Sequence, residues 1–306
     1  MFRLRFKILI LLTIFLGGVG FSGFAFSSPG GFPLRLKDDL GREVVIKGKP
    51  QRIISLAPSL TEILFALGLE KKIVGVTSFC NYPAEAKKKG KVGSYSNPSL
   101  EKIINLRPDL VLVTQGNPLS LIKRLEKLKI TVFAVDPQDV GEVIKTIKKI
   151  AKITSAVRKG KNLTNKMEKK LKRIVSKTKG RSENDKPKVF LMLWDNPLIS
   201  VGSKTLLHNL VVLAGGRNVA AGSADYPIYN VERLLKQDPD VLILIGMGED
   251  WQSKLRQIKK NKILKELKAV KKNKIYLIDP DLVNRPGPRI IEGLEKLSKI
   301  IHPEMF

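Results

Sequence analysis

The chain has 306 residues, room for two domains of ordinary size, and its 56 Lys and Arg against 28 Asp and Glu give a formal charge of +28. Apolar residues make up 43%, which excludes a disordered basic tail. The single cysteine, Cys80, excludes an internal disulfide framework and a cysteine-based zinc site, and two histidines, His208 and His302, exclude a tri-histidine metal centre.

The first segment reads as an export leader. Arg3, Arg5 and Lys7 form a positive n-region, Ile8 to Leu16 an apolar h-region, and small residues follow to Ser28. A cleavable signal peptide over 1–27 is expected, cut after Ala25 or Ser27. The alternative is an uncleaved anchor from Ile8 to Phe26, weakened by its glycines and serines. No cysteine lies near either cut point, so the mature protein is expected to be periplasmic and not a lipoprotein. Loss of the three leader cations leaves +25. That excess is read as lysine-coated helices rather than a nucleic-acid site, since Lys254 to Lys274 sets ten Lys and Arg among Leu255, Ile258, Ile263, Leu264 and Leu267.

A short strand pair is predicted at Leu34–Leu36 and Glu43–Ile46, around a turn at Asp38–Gly41. Short apolar strands then alternate with helices. Strands are expected at Ile53–Leu56, Ile73–Val76, Leu110–Val113 and Thr131–Val135, and helices at Ser59–Leu67, Leu100–Leu106, Leu119–Leu128 and Val140–Ala151. Ser155 to Lys179 carries Val157, Leu163, Met167, Leu171, Ile174 and Val175 at helical spacing, with Gly160 as a flaw or a start. A polar linker, Gly180 to Pro187, follows. The second half repeats the scheme with strands at Val189–Trp194, Ile199–Val201, Val241–Ile245 and Ile275–Ile278. The prediction is an α/β fold: two Rossmann-like lobes with parallel sheets joined by a single long α-helix, the ligand cleft lying between them. The expected boundaries are 32–152 for the N-terminal lobe, 153–181 for the linking helix and 186–306 for the C-terminal lobe. An internal repeat supports two like lobes. Ser99-Leu100-Glu101 opens a helix that ends before Arg107-Pro108-Asp109, and Asn230-Val231-Glu232 opens one that ends before Asp238-Pro239-Asp240.

Ligands of open parallel sheets lie beyond the carboxyl ends of the strands. The segments placed there are Ala57-Pro58-Ser59, Ser78 to Pro83 with Tyr95, Thr114 to Asn117, Trp194 to Pro197, Asp225 to Tyr229, Gly246-Met247-Gly248 and Asp279 to Asp281. Six of the 13 aromatics beyond the leader (Phe79, Tyr82, Tyr95, Trp194, Tyr226 and Tyr229) fall in them, which suits a large, flat, partly apolar ligand. Enzyme readings fail on the residues. Gly202-Ser203-Lys204-Thr205 lacks the earlier glycine of a phosphate loop, leaving Ser203 as an N-cap. Ser59 with Glu62 reads as a capping box, Cys80 as a buried small residue, and His208 as a core or boundary histidine.

Arg52-Ile53-Ile54-Ser55-Leu56-Ala57-Pro58-Ser59-Leu60-Thr61-Glu62, Val74-Gly75-Val76 and Cys80-Asn81-Tyr82-Pro83 resemble the helical-backbone (class III) substrate-binding proteins of ABC importers. The Asn-Tyr-Pro element and Asn284-Arg285-Pro286-Gly287-Pro288-Arg289 look most like the periplasmic cobalamin-binding proteins, over about Leu34 to Ile300. The resemblance implies a non-enzymatic receptor, without cofactor or bound metal of its own, that takes a cobalamin-like corrinoid to a permease dimer as a monomer. Iron-siderophore and haem receptors share the scaffold and are the alternative, and an exported hydrolase is the reading from another class. The resemblance implies Phe79, Tyr95 and Tyr226 as cleft walls, Asp281 and Arg285 as contacts to corrin amides, and Ile199 in place of an aromatic. Pro58, Asn81, Tyr82 and Asp195 complete the expected ligand site. Glu101 and Glu232 match the paired glutamates, one per lobe, that dock on permease arginines. A stiff linking helix implies little lobe movement on binding.

Overall fold

The computed structural model describes residues 31–246 and 251–306, so the expected leader, and Met247 and Gly248 of the glycine pair, lie outside the described residues. β1 (Leu34–Lys37) and β2 (Glu43–Ile46) form an antiparallel pair. They lead into β3 (Ile53–Ser55), α1 (Pro58–Ala66), β4 (Ile73–Val76), α2 (Leu100–Asn105), β5 (Leu110–Thr114), α3 (Leu119–Lys127), β6 (Val132–Val135) and α4 (Val140–Ile153). The first sheet is parallel throughout, in the order β4-β3-β5-β6.

α5 (Val157–Thr178) leads to the second half: β7 (Lys188–Met192), β8 (Trp194–Asp195), β9 (Leu198–Ile199), α6 (Leu206–Leu213), β10 (Arg217–Asn218) and α7 (Val231–Gln237). β11 (Val241–Ile245), α8 (Trp251–Lys260), α9 (Lys268–Lys271), β12 (Ile275–Ile278), α10 (Pro280–Val283) and α11 (Ile290–Ile301) complete it. The second sheet is also parallel, in the order β10-β7-β11-β12. The two-lobed α/β architecture of the sequence reading is therefore present.

One expected sheet strand is not where the pattern put it. Ile199 pairs antiparallel with Trp194, and Leu198 with Asp195, in a two-strand hairpin off the sheet. The chain reverses at Asn196-Pro197 directly after β8, so this segment never reaches the sheet, and β10 takes the edge beside β7 instead.

Alternation along each strand divides the apolar residues between two faces. Ile53, Leu110, Leu112 and Phe133 face one core, while Ile54, Val111, Val113 and Ala134 face a second. In the other lobe Val189, Leu191, Val241 and Ile243 face inward, and Phe190, Met192, Leu242 and Leu244 face outward. The two inward faces belong to one continuous cluster that also holds buried residues of α4, α5, α6 and α11. The lobes thus share a core in addition to the linking helix. Gly160 is neither a flaw in α5 nor its start. It sits inside the helix, where any Cβ would collide with that of Ala151 on α4, so the close α4–α5 packing requires glycine.

The internal repeat is structural. Ser99 and Asn230 each cap a helix, accepting from the backbone N–H groups of Lys102 and Arg233 at 3.3 and 2.9 Å. The Asp109 carboxylate accepts from the backbone N–H of Arg52 at the start of β3 (3.0 Å), and that of Asp240 from Lys188 at the start of β7 (2.9 Å). Arg107 and Asp238, one residue before each proline, both have φ of 45°. The cap of α6 is Thr205, which accepts from the His208 N–H at 3.1 Å, rather than the expected Ser203. The lysine-rich stretch forms α8 and α9, with Ile258 and Leu267 buried against the outer face of the second sheet. Among the described residues no helix is long and apolar enough to cross a membrane.

Candidate functional site: the cleft between the lobes

A cavity of about 760 Å³ opens between the carboxyl ends of the two sheets. Its first wall comes from Pro58 and Ser59 at the start of α1, Phe79 after β4, Tyr95, and Thr114 at the end of β5. Asp136, Pro137 and Gln138 after β6 complete it. The facing wall is Leu206, Tyr226, Gly246, and the segment from Pro280 to Pro286 that contributes Asp281, Asn284 and Arg285.

Six of the nine expected ligand residues line this cavity: Pro58, Phe79, Tyr95, Tyr226, Asp281 and Arg285. Asn81 stands behind them, accepting from Arg285 Nη1 at 2.7 Å and donating to Asp281 at 3.2 Å. Tyr82 lies against the Arg289 guanidinium, 3.9 Å from ring centre to Cζ, so it supports the wall rather than forming it. Asp195 is off the cavity, in the β8–β9 hairpin, ion-paired with Lys254. Of the remaining loop aromatics, Trp194 is exposed and donates to the Asn196 carbonyl at 2.9 Å. Tyr229 is a core residue, packed edge-on against Phe190 with its hydroxyl donating to the Val219 carbonyl.

Glu62 departs most from the sequence reading. α1 has Ala57 at its N-cap position and Pro58 as its first residue, so Ser59 is already inside the helix and no capping box forms. Glu62 is 3% exposed. It receives two hydrogen bonds from Arg289, at 2.9 and 2.7 Å, and a third from Arg285 at 3.1 Å. Both arginines belong to the second lobe, in the loop between α10 and α11 and at its end. Arg285 also pairs with Asp281 at 2.7 Å. The hydrogen bonds to Glu62 hold the Arg289 guanidinium above its ordinary pKa. A buried carboxylate of one lobe is thereby clamped by two cations of the other, one of which, Arg285, lines the cavity.

The cleft residue missed in the sequence is Asp136, with Gln138 beside it. They follow β6, the fourth strand of the first lobe, at a carboxyl end equivalent to those that carry the expected segments. Asp136 is fixed from behind by the opening hairpin. The Asp39 carboxylate accepts from the Asp136 backbone N–H at 2.9 Å, and the Asp39 backbone N–H donates to the Ala134 carbonyl. The Gln138 amide donates to the Asp136 carboxylate at 2.7 Å. Burial pushes the Asp136 carboxyl up, against the lowering by Gln138, and Asp39 and Glu142 add to the rise. Partial desolvation at the cleft raises the Tyr226 phenol, with Asp225 and Asp136 contributing.

The remaining nucleophile and base candidates sit elsewhere. Cys80 is buried beside the hydroxyls of Thr61 and Thr77. His208 is half-buried on α6 next to Asn218, and burial lowers its pKa. His302 is fully buried, its Nε2 3.1 Å from the Gly215 carbonyl. Among the described residues no group of three or more His, Cys, Asp or Glu is placed to hold a metal ion.

Residues 53–282 match the periplasmic binding protein family model. The chain belongs to that family. It is 36% identical over 280 residues to the uncharacterized ABC transporter substrate-binding lipoprotein YvrC of Bacillus subtilis strain 168, covering 90% of this chain and 87% of the relative. It is 28% identical over 253 residues to the vitamin B12-binding protein of Vibrio parahaemolyticus, covering 80% and 86%. The crystal structure of a possible iron-binding (periplasmic solute-binding) protein from Staphylococcus epidermidis superposes with a TM-score of 0.74 at 30% identity, over 83% of this chain and 99% of that one. The protein is an ABC transporter substrate-binding protein, from a family of receptors rather than enzymes, and it acts outside the cytoplasm. The lipoprotein relative overturns the expectation of a chain free of a lipid anchor, which rested only on the lack of a cysteine near Ala25 and Ser27.

Proposed function

We propose that the protein captures a cobalamin-like corrinoid and delivers it to an ABC importer. The observation that carries this reading is the inter-lobe cavity of about 760 Å³ with aromatic rings on both walls, Phe79 and Tyr95 facing Tyr226. A broad, flat ring system rimmed by amides finds stacking surfaces there, and hydrogen-bonding groups at Thr114, Gln138 and Asn284. Calorimetric titration with cyanocobalamin should give saturable one-to-one binding, and the corrinoid's visible bands should co-elute with the protein. A second reading, a receptor for a different metal chelate such as a ferric siderophore or haem, draws on the possible iron-binding protein among the structural neighbours. Saturation by a ferric chelate with no heat from cyanocobalamin would establish it in place of the first.

The docking surface is part of the same proposal. Glu101 and Glu232 are each the second residue of a capped helix that precedes a central strand, at equivalent points of the two lobes. A helix preceding a parallel strand starts at the strand-exit end, so both glutamates lie toward the cleft-bearing face. Both are exposed. A glutamate in a first helical turn is favourable by itself, by about 0.3–1 kcal/mol, so the symmetry of the pair is what argues for a two-fold permease with an arginine in each half. With Glu101→Arg and Glu232→Arg combined, corrinoid binding in solution should persist while transport through the reconstituted permease collapses. Transport at the wild-type rate would reduce both to helix-terminus residues.

A further inference from the structure

The charge inside the cleft runs against the charge of the molecule. The chain carries 56 Lys and Arg against 28 Asp and Glu, yet the charged groups among the described residues lining the cavity are two carboxylates, Asp136 and Asp281, and one guanidinium, Arg285. That guanidinium is already matched: it bonds Glu62, which is 3% exposed, together with Asp281 and the Asn81 carbonyl oxygen. Drawing Arg285 away to meet an anion would strip a partner from a carboxylate that cannot reach water. Asp136 is in the opposite condition. Its neighbour Asp39 is ion-paired with Lys149 at 2.6 Å, whereas Asp136 itself has Gln138 as its side-chain partner and no ion pair among the described residues. It stands on the first wall, close enough to raise the phenol of Tyr226 on the other.

We infer that the cleft selects a chelate of neutral or positive charge and rejects anionic ones, with Asp136 as the residue that sets this selectivity. The inference deepens the receptor reading above and rests on it. Like-charge juxtaposition in a partly desolvated site is a repulsive element against the wrong ligand. A ligand amide or ammonium facing Asp136 gains a charge-assisted hydrogen bond, and a carboxylate or catecholate there meets an uncompensated negative charge. This disfavours haem, which carries propionates, and ferric catecholates, and it admits amide-rimmed corrinoids and ferric hydroxamates.

The test titrates the full-length protein with cyanocobalamin, its monocarboxylic acid (one side-chain amide hydrolysed on the same corrin), the cationic chelate ferrioxamine B, and haemin. Cyanocobalamin should bind at least about tenfold more tightly than the monocarboxylic acid, a factor within reach of one unscreened like-charge contact. Asp136→Asn should shrink that ratio and Asp136→Lys should close or invert it, with thermal unfolding near wild type in both, since the Asp39 bond uses the backbone of residue 136. Equal binding of cyanocobalamin and its acid, unchanged by Asp136→Lys, overturns the charge rule and leaves the corrinoid reading standing. Binding of ferrioxamine B in preference to haemin, with none of cyanocobalamin, sinks the corrinoid reading and upholds the charge rule. Haemin as the tightest ligand overturns both.

Discussion

Tyr95, on the first lobe, is held at both ends. Its hydroxyl is 2.8 Å from that of Thr114, its backbone carbonyl accepts from Asn117 at 2.9 Å, and its ring lies so close to Gly116 that no Cβ would fit there. Tyr226, on the second lobe, is flanked by residues tethered through their backbones. The Asp225 and Pro227 carbonyls accept from Gly202 and Ser200, and the Tyr226 side chain, 59% exposed, makes no hydrogen bond among the described residues. Both lobes are built on one scheme, down to the aspartate at the head of the central strand, but they meet the cleft differently. One wall is set before the ligand arrives, and the other can adjust its ring to what it meets. A fixed wall contributes preorganisation and an adjustable wall contributes tolerance, a division that would suit the proposed chelate ligands if they share a core and vary at the rim.

The widest break in this comparison is to remove what joins the walls. Glu62→Ala leaves two arginines, 13% and 14% exposed, without their shared carboxylate. Breaking a buried ion pair from one side costs about 3–5 kcal/mol, and the loss should appear in the urea unfolding midpoint. Since the inward faces of both sheets share one core, the transition should remain single. Two separated transitions would show that the lobes fold independently. The same shared core predicts that ligand-free and ligand-bound scattering profiles nearly coincide, and a clear compaction on binding would contradict it.

Smaller effects separate the walls. On the proposed corrinoid reading, Tyr95→Ala and Tyr226→Ala should each weaken ligand binding by about 1–3 kcal/mol, as truncated central aromatics do. They should differ in stability. Tyr95→Phe leaves the Thr114 hydroxyl without its partner and should cost about 1 kcal/mol, whereas Tyr226→Phe should leave the melting curve unchanged. If Tyr226→Phe destabilises as much, the second wall is as fixed as the first.

The sequence made the layers legible because strands such as Leu110–Thr114 and Val241–Ile245 are buried along their whole length and read as apolar runs between helical patterns. The hairpin at Trp194–Ile199 was misread as sheet because its apolar residues look the same whether they pair parallel or antiparallel. Only the reversal at Asn196-Pro197 distinguishes the two cases. Glu62 was misread for a different reason. Local spacing offered a capping partner three residues away, while its real partners lie 223 and 227 residues along the chain. Asp136 carried a usable signal, its place directly after a strand. The matching of Arg285 by Glu62 carried none, because it depends on how the two lobes pack.

The mildest test addresses the repeat itself. Asp240 accepts from the Lys188 backbone N–H and is ion-paired with Lys268. Partial burial pushes its carboxyl up, but the hydrogen bonds from Lys268 and Lys188 and their charges win, and its pKa is lowered. A carboxyl depressed in the folded state contributes its stability above the unfolded value, about 3.9, and that contribution drains away as pH falls through the lower folded value. Asp240→Asn should therefore cost about 1 kcal/mol at pH 7, and the gap to wild type should narrow below about pH 4. The comparison partner is Asp109→Asn in the first lobe. Asp109 accepts from the backbone N–H groups of Gln51 and Arg52 and, among the described residues, has no ion pair. Its loss should depend less on salt than that of Asp240, where a lysine shares the carboxylate. Urea midpoints for both variants at two pH values and two salt concentrations check this. A salt dependence larger at Asp109 than at Asp240 would mean that the backbone anchor, rather than Lys268, carries the electrostatic part of the motif in both lobes.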